Sequence, residues 1–166
     1  MALVYLGLGS NEGDSAAILR QALARLPAAT EGRILRVSRL YRTAPWGFSD
    51  QPAFLNMVAA IETPLAPHAL LAVLKDLEAH AGRVGGPRWG PRPLDLDILL
   101  YDALTLDDPD LVIPHVCMLE RRFVLQPLAD IWPPRAPLLG EPLAARLAAV
   151  AEQDVTPVRT DDEGGL

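Results

Sequence analysis

Arg88-Trp89-Gly90-Pro91-Arg92-Pro93-Leu94-Asp95-Leu96-Asp97-Ile98-Leu99-Leu100-Tyr101 joins a segment rich in arginine, glycine and proline to a strand. From Leu94 the residues alternate. Leu94, Leu96, Ile98 and Leu100 are predicted on one face, and Asp95, Asp97, Leu99 and Tyr101 on the other. The first is a core face. The second carries two carboxylates whose α-carbons stand about 6.5 Å apart at strand rise. Like charges that close repel, more so when partly buried, and call for a proton, an arginine or a metal. Hard divalent cations prefer carboxylate oxygens, and two ions about 4 Å apart would fit between such a pair. Taken alone, Asp-x-Asp reads more readily as a solvated strand face. The adjoining arginines weigh against that.

Upstream, Leu3 to Leu8 reads as a buried strand closed by Gly7, Gly9 and Ser10. Asp14 or Ser15 can cap a helix reaching about Leu26, which Pro27 ends. Arg33 to Thr43 is a charged, half-wet strand, Ala44 to Pro52 a loop, and Phe54 to Glu62 an apolar strand. Pro67 suits the first turn of a helix with the stripe Leu70, Leu74, Leu77 and Ala81, stopped at Gly82. With the loop Arg83 to Pro93 and the strand from Leu94, the order is β-α-β-β-α-β, the split βαβ of ferredoxin-like folds. That fold hosts many functions and decides none. Short helices are expected within Met118 to Ile131 and within Leu143 to Glu152. Pro133, Pro134 and Pro137 set off the last segment. Residues 1–166 read as one domain, with 134–166 a less distinctive C-terminal extension.

Half of the 166 residues are hydrophobic and 22% charged, which fits a globular domain. A net charge of −6 opposes non-specific nucleic-acid binding. One cysteine, Cys117, excludes an internal disulfide and fits a reducing compartment. No apolar run reaches membrane-spanning length, and the start lacks the basic region of a signal peptide. A cytoplasmic protein without membrane partners is expected. Lys75 is the one lysine among fifteen basic residues.

Four groups of residues bear chemistry. Gly7-Leu8-Gly9-Ser10-Asn11-Glu12-Gly13 has GxGxxxG spacing, one residue off the dinucleotide fingerprint, and a tight turn explains it equally well. Between Ala79 and Leu94 stand Arg83, Arg88 and Arg92 without an acid, among glycines that loosen the chain and prolines that restrain it. A cationic loop beside paired carboxylates suits a polyphosphate with magnesium. Ile113-Pro114-His115 precedes Arg121, Arg122 and Phe123; His115 can donate to a phosphate, although a lone histidine is more often structural. Trp46, Phe54, Asn56 and Phe123 suit a flat heteroaromatic ligand, the rings stacking and the amide reading its edge; core packing is the default for Phe54. Glu78, at the end of its helix, fits a bridge to the loop or to a ligand, and equally a solvated helix face.

Together these residues resemble the hydroxymethyldihydropterin pyrophosphokinases of folate biosynthesis. The likeness rests on Gly9-Ser10-Asn11, Tyr41-Arg42-Thr43, Pro45 with Gly47, Asp50-Gln51-Pro52, Leu55-Asn56, Gly82-Arg83, Arg88-Trp89-Gly90-Pro91-Arg92, Leu94-Asp95-Leu96-Asp97 and Pro114-His115, in that order. It covers about residues 3–133, and the run from Arg88 to Asp97 is its most specific part. The resemblance implies an α+β fold: a mainly antiparallel sheet with helices on both sides, in α/β/α layers. It implies magnesium-dependent transfer of pyrophosphate from ATP to the pterin hydroxymethyl group, with AMP released. By the same resemblance Asp95 and Asp97 bind two Mg2+, and Arg83, Arg92 and Asp97 are catalytic. Lys75, Glu78, Arg88, Trp89, Arg92, Ile98, His115 and Arg121 belong to the ATP side. Thr43, Ala44, Pro45, Trp46, Phe54, Asn56 and Phe123 line the pterin pocket. Small-molecule substrates and a monomer are expected.

Some positions depart from the family pattern. Phe54 stands where tyrosine is common, and Gly85 where a further loop arginine often stands. Asp110 and Val116 replace residues that are often basic and aromatic. The alternatives are a non-catalytic ligand module, which leaves the aspartates and arginines without a role, and a nucleic-acid binder, which the acidic balance opposes.

Overall fold

In the computed structural model, which describes residues 1–43, 53–82 and 93–159, the expected order of elements is present and extended. Strand β1 (Ala2–Ser10) leads to helix α1 (Ser15–Thr30), then to β2 (Arg33–Val37), β3 (Tyr41–Thr43), β4 (Phe54–Thr63), α2 (Pro67–His80) and β5 (Asp95–Tyr101). After these come β6 (Leu106–Asp108), β7 (Leu111–Ile113), a 3-10 turn (Met118–Glu120) and α3 (Arg122–Ile131). The chain continues through β8 (Pro137–Leu138), β9 (Glu141–Pro142), α4 (Leu143–Ala148) and β10 (Val155–Pro157). The main sheet runs β10-β3-β4-β1-β5, with β2 on the other half of β4, and every pairing is antiparallel. Central β1 between β4 and β5, with β2 and β3 beyond β4, is the ferredoxin-like order.

The two faces of the sheet bury different helices. Val4, Leu6 and Leu8 of β1, Met57, Ala59 and Ile61 of β4, and Leu96 and Ile98 of β5 pack with Leu19 and Leu26 of α1 and Leu70 and Leu74 of α2. On the other face Tyr5, Val58, Ala60, Leu99 and Leu100 meet Val124, Leu125, Leu128 and Ile131 of α3. Leu70 and Leu74 are fully buried; truncating either to alanine would cost about 2–5 kcal/mol, a large part of a domain's net stability. The α/β/α layering follows from alternation along the strands together with one apolar stripe on each helix.

Several local expectations change. Pro27 does not end α1, which runs to Thr30. A late proline forfeits one backbone bond, to the carbonyl four residues before it, and the last turn is held by other bonds. Thr30 Oγ1 donates to the Leu26 carbonyl at 2.7 Å, and the Gly32 N–H to that of Pro27 at 3.0 Å. Glu31 then takes a left-handed φ of 55°. Gly32 has to be glycine, since a β-carbon there would lie 1.8 Å from the Glu62 carbonyl oxygen. The single strand expected from Arg33 to Thr43 is two, because the chain breaks at Ser38–Leu40 and rejoins β4 further along. The helical region within 118–131 divides at Arg121.

The alternation of β5 also fails at its end. A register shift against β1 at Tyr5/Leu6 places Leu100 with Leu99 on the α3 side, and Tyr101 on the α1/α2 side. A bulge re-aims every side chain beyond it. The Tyr101 hydroxyl there donates to the Leu65 carbonyl at 2.6 Å. Finally, the C-terminal segment is built into the sheet, since β10 pairs with β3.

Candidate active site

Residues directly opposite one another in antiparallel strands share a face. Gly9 of β1 stands opposite Asp95 on one side and Asn56 on the other, and Gly7 opposite Asp97 and Val58. Asn56, Gly9 and Asp95 therefore form one row on the α3 side of the sheet. At about 4.8 Å per strand, Asn56 and Asp95 are about 10 Å apart, and Gly9, the residue between them in the row, has no side chain. Gly7 and Gly9 do not close β1 as expected; they lie within it and make this floor. A β-carbon on Gly9 would come to 3.0 Å from Asn56 Oδ1.

At one end of the floor are the carboxylates. Asp95 and Asp97 are half-buried, and the Asp97 side chain keeps 40% of its surface, so both can meet a ligand from solvent. His115 faces them. Its own N–H donates to the Leu99 carbonyl at 2.9 Å, which fixes the chain after β7 against β5. Its Nδ1 accepts from the Cys117 N–H at 3.2 Å, so the proton of the neutral ring sits on Nε2, 3.9 Å from Asp97 Oδ1. Burial, and secondarily the Arg121 guanidinium, hold the His115 pKa below its ordinary 6.5, against a smaller upward pull from Asp95. Arg121 caps α3 and lies 5.5 Å over the Phe123 ring.

That depressed pKa makes a prediction for the ligand-free protein. The unfolded chain takes up the histidine proton near 6.5 and the folded one only at lower pH. The stability contributed by the neutral ring is thus complete above 6.5 and lost as pH falls from there through the folded value. Urea melts at pH 7 and pH 5.5 should show a steeper loss in the native protein than in His115→Gln; equal slopes would show that the ring is not desolvated.

At the other end is a polar and aromatic set. Asn56 Nδ2 donates to Thr43 Oγ1 at 2.9 Å, and both residues are buried. The Asn56 amide has a second donor hydrogen and its carbonyl for reading another molecule's edge. Phe54 stands opposite Thr43, and Phe123 packs from α3. Asp130, near the end of α3, accepts from the Tyr41 hydroxyl at 3.0 Å and pairs with Arg39 at 3.2 Å, fixing α3 against β3. Burial first, then Asp130, pushes the Tyr41 pKa up to about 12. No sequence pattern pointed to Asp130, which is one acid on an otherwise ordinary amphipathic helix.

The remaining expected site residues divide. Arg83, Arg88, Trp89 and Arg92, as well as Ala44, Pro45, Trp46 and Gly85, lie outside the described residues. Lys75 is exposed on α2. The Ile98 side chain is buried in the α1/α2 core, so the face that bears the aspartates meets none of it. Glu78 does not lie on a solvated face: it is 6% exposed, and its Oε2 accepts from the Leu96 N–H at 2.8 Å, while the loop to which a bridge was expected lies outside the described residues. Asp110, one of the departures, stands with Asp108 at 3.3 and 3.1 Å from His68 Nε2, joining the turn after β6 to the start of α2.

A sequence profile of the 7,8-dihydro-6-hydroxymethylpterin-pyrophosphokinase (HPPK) family matches residues 5–133. The chain is 50% identical over 133 residues to the 2-amino-4-hydroxy-6-hydroxymethyldihydropteridine pyrophosphokinase of Methylorubrum extorquens, covering 80% of this chain and 84% of that one. The Bacillus subtilis protein of the same name is 40% identical over 162 residues, covering 98% and 87%. Among solved structures, a crystal structure of HPPK-DHPS in complex with substrates superposes with a TM-score of 0.70 at 15% identity, over 92% of this chain and 46% of that one. At that identity the superposition speaks for the fold, and this chain spans just under half of the HPPK-DHPS chain.

Proposed function

The chain belongs to the 7,8-dihydro-6-hydroxymethylpterin-pyrophosphokinase family, and from that premise we propose how its own residues divide the work. The reaction transfers pyrophosphate from ATP to 6-hydroxymethyl-7,8-dihydropterin in folate biosynthesis, is magnesium-dependent, and leaves AMP and the pterin diphosphate. The observation that carries the assignment is the row Asn56–Gly9–Asp95. An amide and a carboxylate pair at the two ends of a floor made by glycine support reading one end as the heterocycle's and the other as the nucleotide's.

The pterin lies at the Asn56 end. Asn56 and Thr43 read its polar edge, Phe54 and Phe123 flank its rings, and Ala44, Pro45 and Trp46, next in sequence to Thr43, complete the pocket. ATP lies at the carboxylate end. His115 donates from Nε2 to a phosphate oxygen and Arg121 adds a guanidinium from the α3 terminus, where the helix dipole also favours an anion. Lys75, Arg88 and Trp89 belong to the nucleotide side, as does Ile98, through its backbone. Arg83 and Arg92 bind the triphosphate as its charge redistributes.

Asp95 and Asp97 fit magnesium. They are hard oxygen donors on one strand face, accessible to solvent, with glycine opposite each. We assign them two ions, which when bound would neutralise triphosphate charge and acidify a coordinated hydroxyl. The pterin hydroxyl oxygen attacks the β-phosphorus and the bond to the α-phosphate's bridging oxygen breaks. The β- and γ-phosphates move together, and the hydroxyl proton is lost. The residues contribute position and charge rather than a covalent intermediate.

The reading extends to one pyrophosphokinase domain over residues 1–166, supported by the pairing of β10 with β3, and to a cytoplasmic monomer, consistent with its single cysteine. Among the described residues no helix is long and apolar enough to cross a membrane. The test is product analysis with ATP labelled at the γ-phosphate. Label should enter the pterin together with an unlabelled phosphate as AMP accumulates one for one. ADP with a pterin monophosphate would overturn the reading.

A further inference from the structure

Among the described residues strand β5 is the last in the sheet, so one side of its backbone pairs with β1 and the other side does not meet a further described strand of that sheet. Along it, successive N–H groups point alternately inward and outward. Leu96, between Asp95 and Asp97, points outward, and its N–H is taken by Glu78 Oε2 at 2.8 Å. Glu78 reaches it from α2, which packs on the face opposite the aspartates. A carboxylate that is 6% exposed is costly unless it makes good hydrogen bonds. Here such a bond falls on the peptide between the two residues assigned to magnesium.

We infer that Glu78 is a positioning residue: it clamps the outer edge of β5 and thereby sets the direction of both the Asp95 and Asp97 carboxylates, without touching ATP. This rests on the reading of Asp95 and Asp97 as metal-binding carboxylates. On the β1 side the residues directly opposite them are Gly9 and Gly7, which bring no side chain to bear on them. Without the clamp the outward Leu96 N–H loses its partner, the pleat relaxes, and the two carboxylates lose their common aim. A clamp of this kind needs an oxygen at the right reach; it does not need a charge.

The experiment compares Glu78→Leu, Glu78→Gln and Glu78→Asp with the native protein. Leucine fills the space without an acceptor, glutamine keeps an acceptor at the same reach, and aspartate keeps the charge but falls short. Three quantities are read: amide exchange of Leu96 by NMR in the ligand-free protein, Mn2+ affinity with α,β-methylene-ATP, and the split between kcat and the KM for ATP. In Glu78→Leu, Leu96 exchange should quicken by about tenfold or more. Mn2+ affinity and kcat should fall about ten- to a hundredfold, as for lost partners of metal ligands, while the KM for ATP changes little. Glu78→Gln should recover most of each loss, and Glu78→Asp should not. If the leucine variant does not fold, the order of glutamine above aspartate still decides. The reverse order means that charge is what matters and overturns the clamp, as does a rise in KM for ATP with Leu96 exchange unchanged. Asp97→Asn in the same Mn2+ titration separates the two ideas. Undiminished affinity there removes the metal assignment and leaves the exchange result on Leu96 standing.

Discussion

Asp97→Ala and Asp95→Ala should each lower turnover by at least about a thousandfold while the protein stays folded. A metal-bound charge contributes several kcal/mol to the transition state, and each 1.36 kcal/mol is tenfold in rate, so about three orders of magnitude is the expected scale. The fold should survive because both side chains are half-buried on the open floor and carry no part of either core. Removing one of two neighbouring like charges also relieves repulsion. The residue between them behaves in the opposite way. Leu96 is 4% exposed and faces α1 and α2. Leu96→Asp forfeits a buried leucine, about 2–5 kcal/mol, and puts an unpaired charge in its place; against a typical 5–15 kcal/mol of net stability that unfolds the domain. Circular-dichroism melts with steady-state rates separate the cases. Near-native activity of both alanine variants at limiting magnesium would remove the metal assignment.

That contrast rests on alternation, which is the part of the site legible in one dimension. Asp95 and Asp97 against Leu94, Leu96 and Ile98 can be read from the sequence because a strand's period of two is local. Leu100 and Tyr101 cannot, because their faces are reversed by a register shift that belongs to the pairing with β1. The same distinction explains the glycines. Gly7 and Gly9 look like a turn or a phosphate-binding loop when only their neighbours are considered. Their use appears when register sets Asn56 and Asp95 on either side of Gly9. Glu78 is similar: it stands in the last turn of α2, eighteen positions before the Leu96 amide it holds, and no spacing rule encodes that bond. The ordering of β-α-β-β-α-β was legible because caps, prolines and apolar stripes are local signals. The place of β10 was not, because three residues at the sheet edge, Val155–Pro157, carry too little pattern to declare a partner.

Arg92→Ala and Arg83→Ala are expected to cut the chemical rate by about a thousandfold, the lower range for arginines that act on transferring phosphoryl groups, with a much smaller change in ATP affinity. The ground state already has a hydrogen-bond donor and cations for the triphosphate. His115 and Arg121 are fixed by β5 and by the start of α3, and the assigned magnesium sites lie beside them. What changes in the transition state is where the charge sits, as the bond from the β-phosphorus to the bridging oxygen opens and charge builds on the departing α-phosphate. Groups that strengthen their contact only then accelerate the step without tightening binding. Arg92 stands three residues before Asp95 in the sequence, and Arg83 directly follows Gly82 after α2. A guanidinium can hold two phosphate oxygens at once, whereas an ammonium is a point charge. Arg92→Lys should therefore recover only part of the loss. Rapid-quench single turnovers give the chemical rate, and equilibrium titration with α,β-methylene-ATP gives the affinity. A large loss of affinity with an unchanged single-turnover rate would make these arginines ground-state anchors, and the stabilisation of the leaving phosphate would then fall to His115 and Arg121.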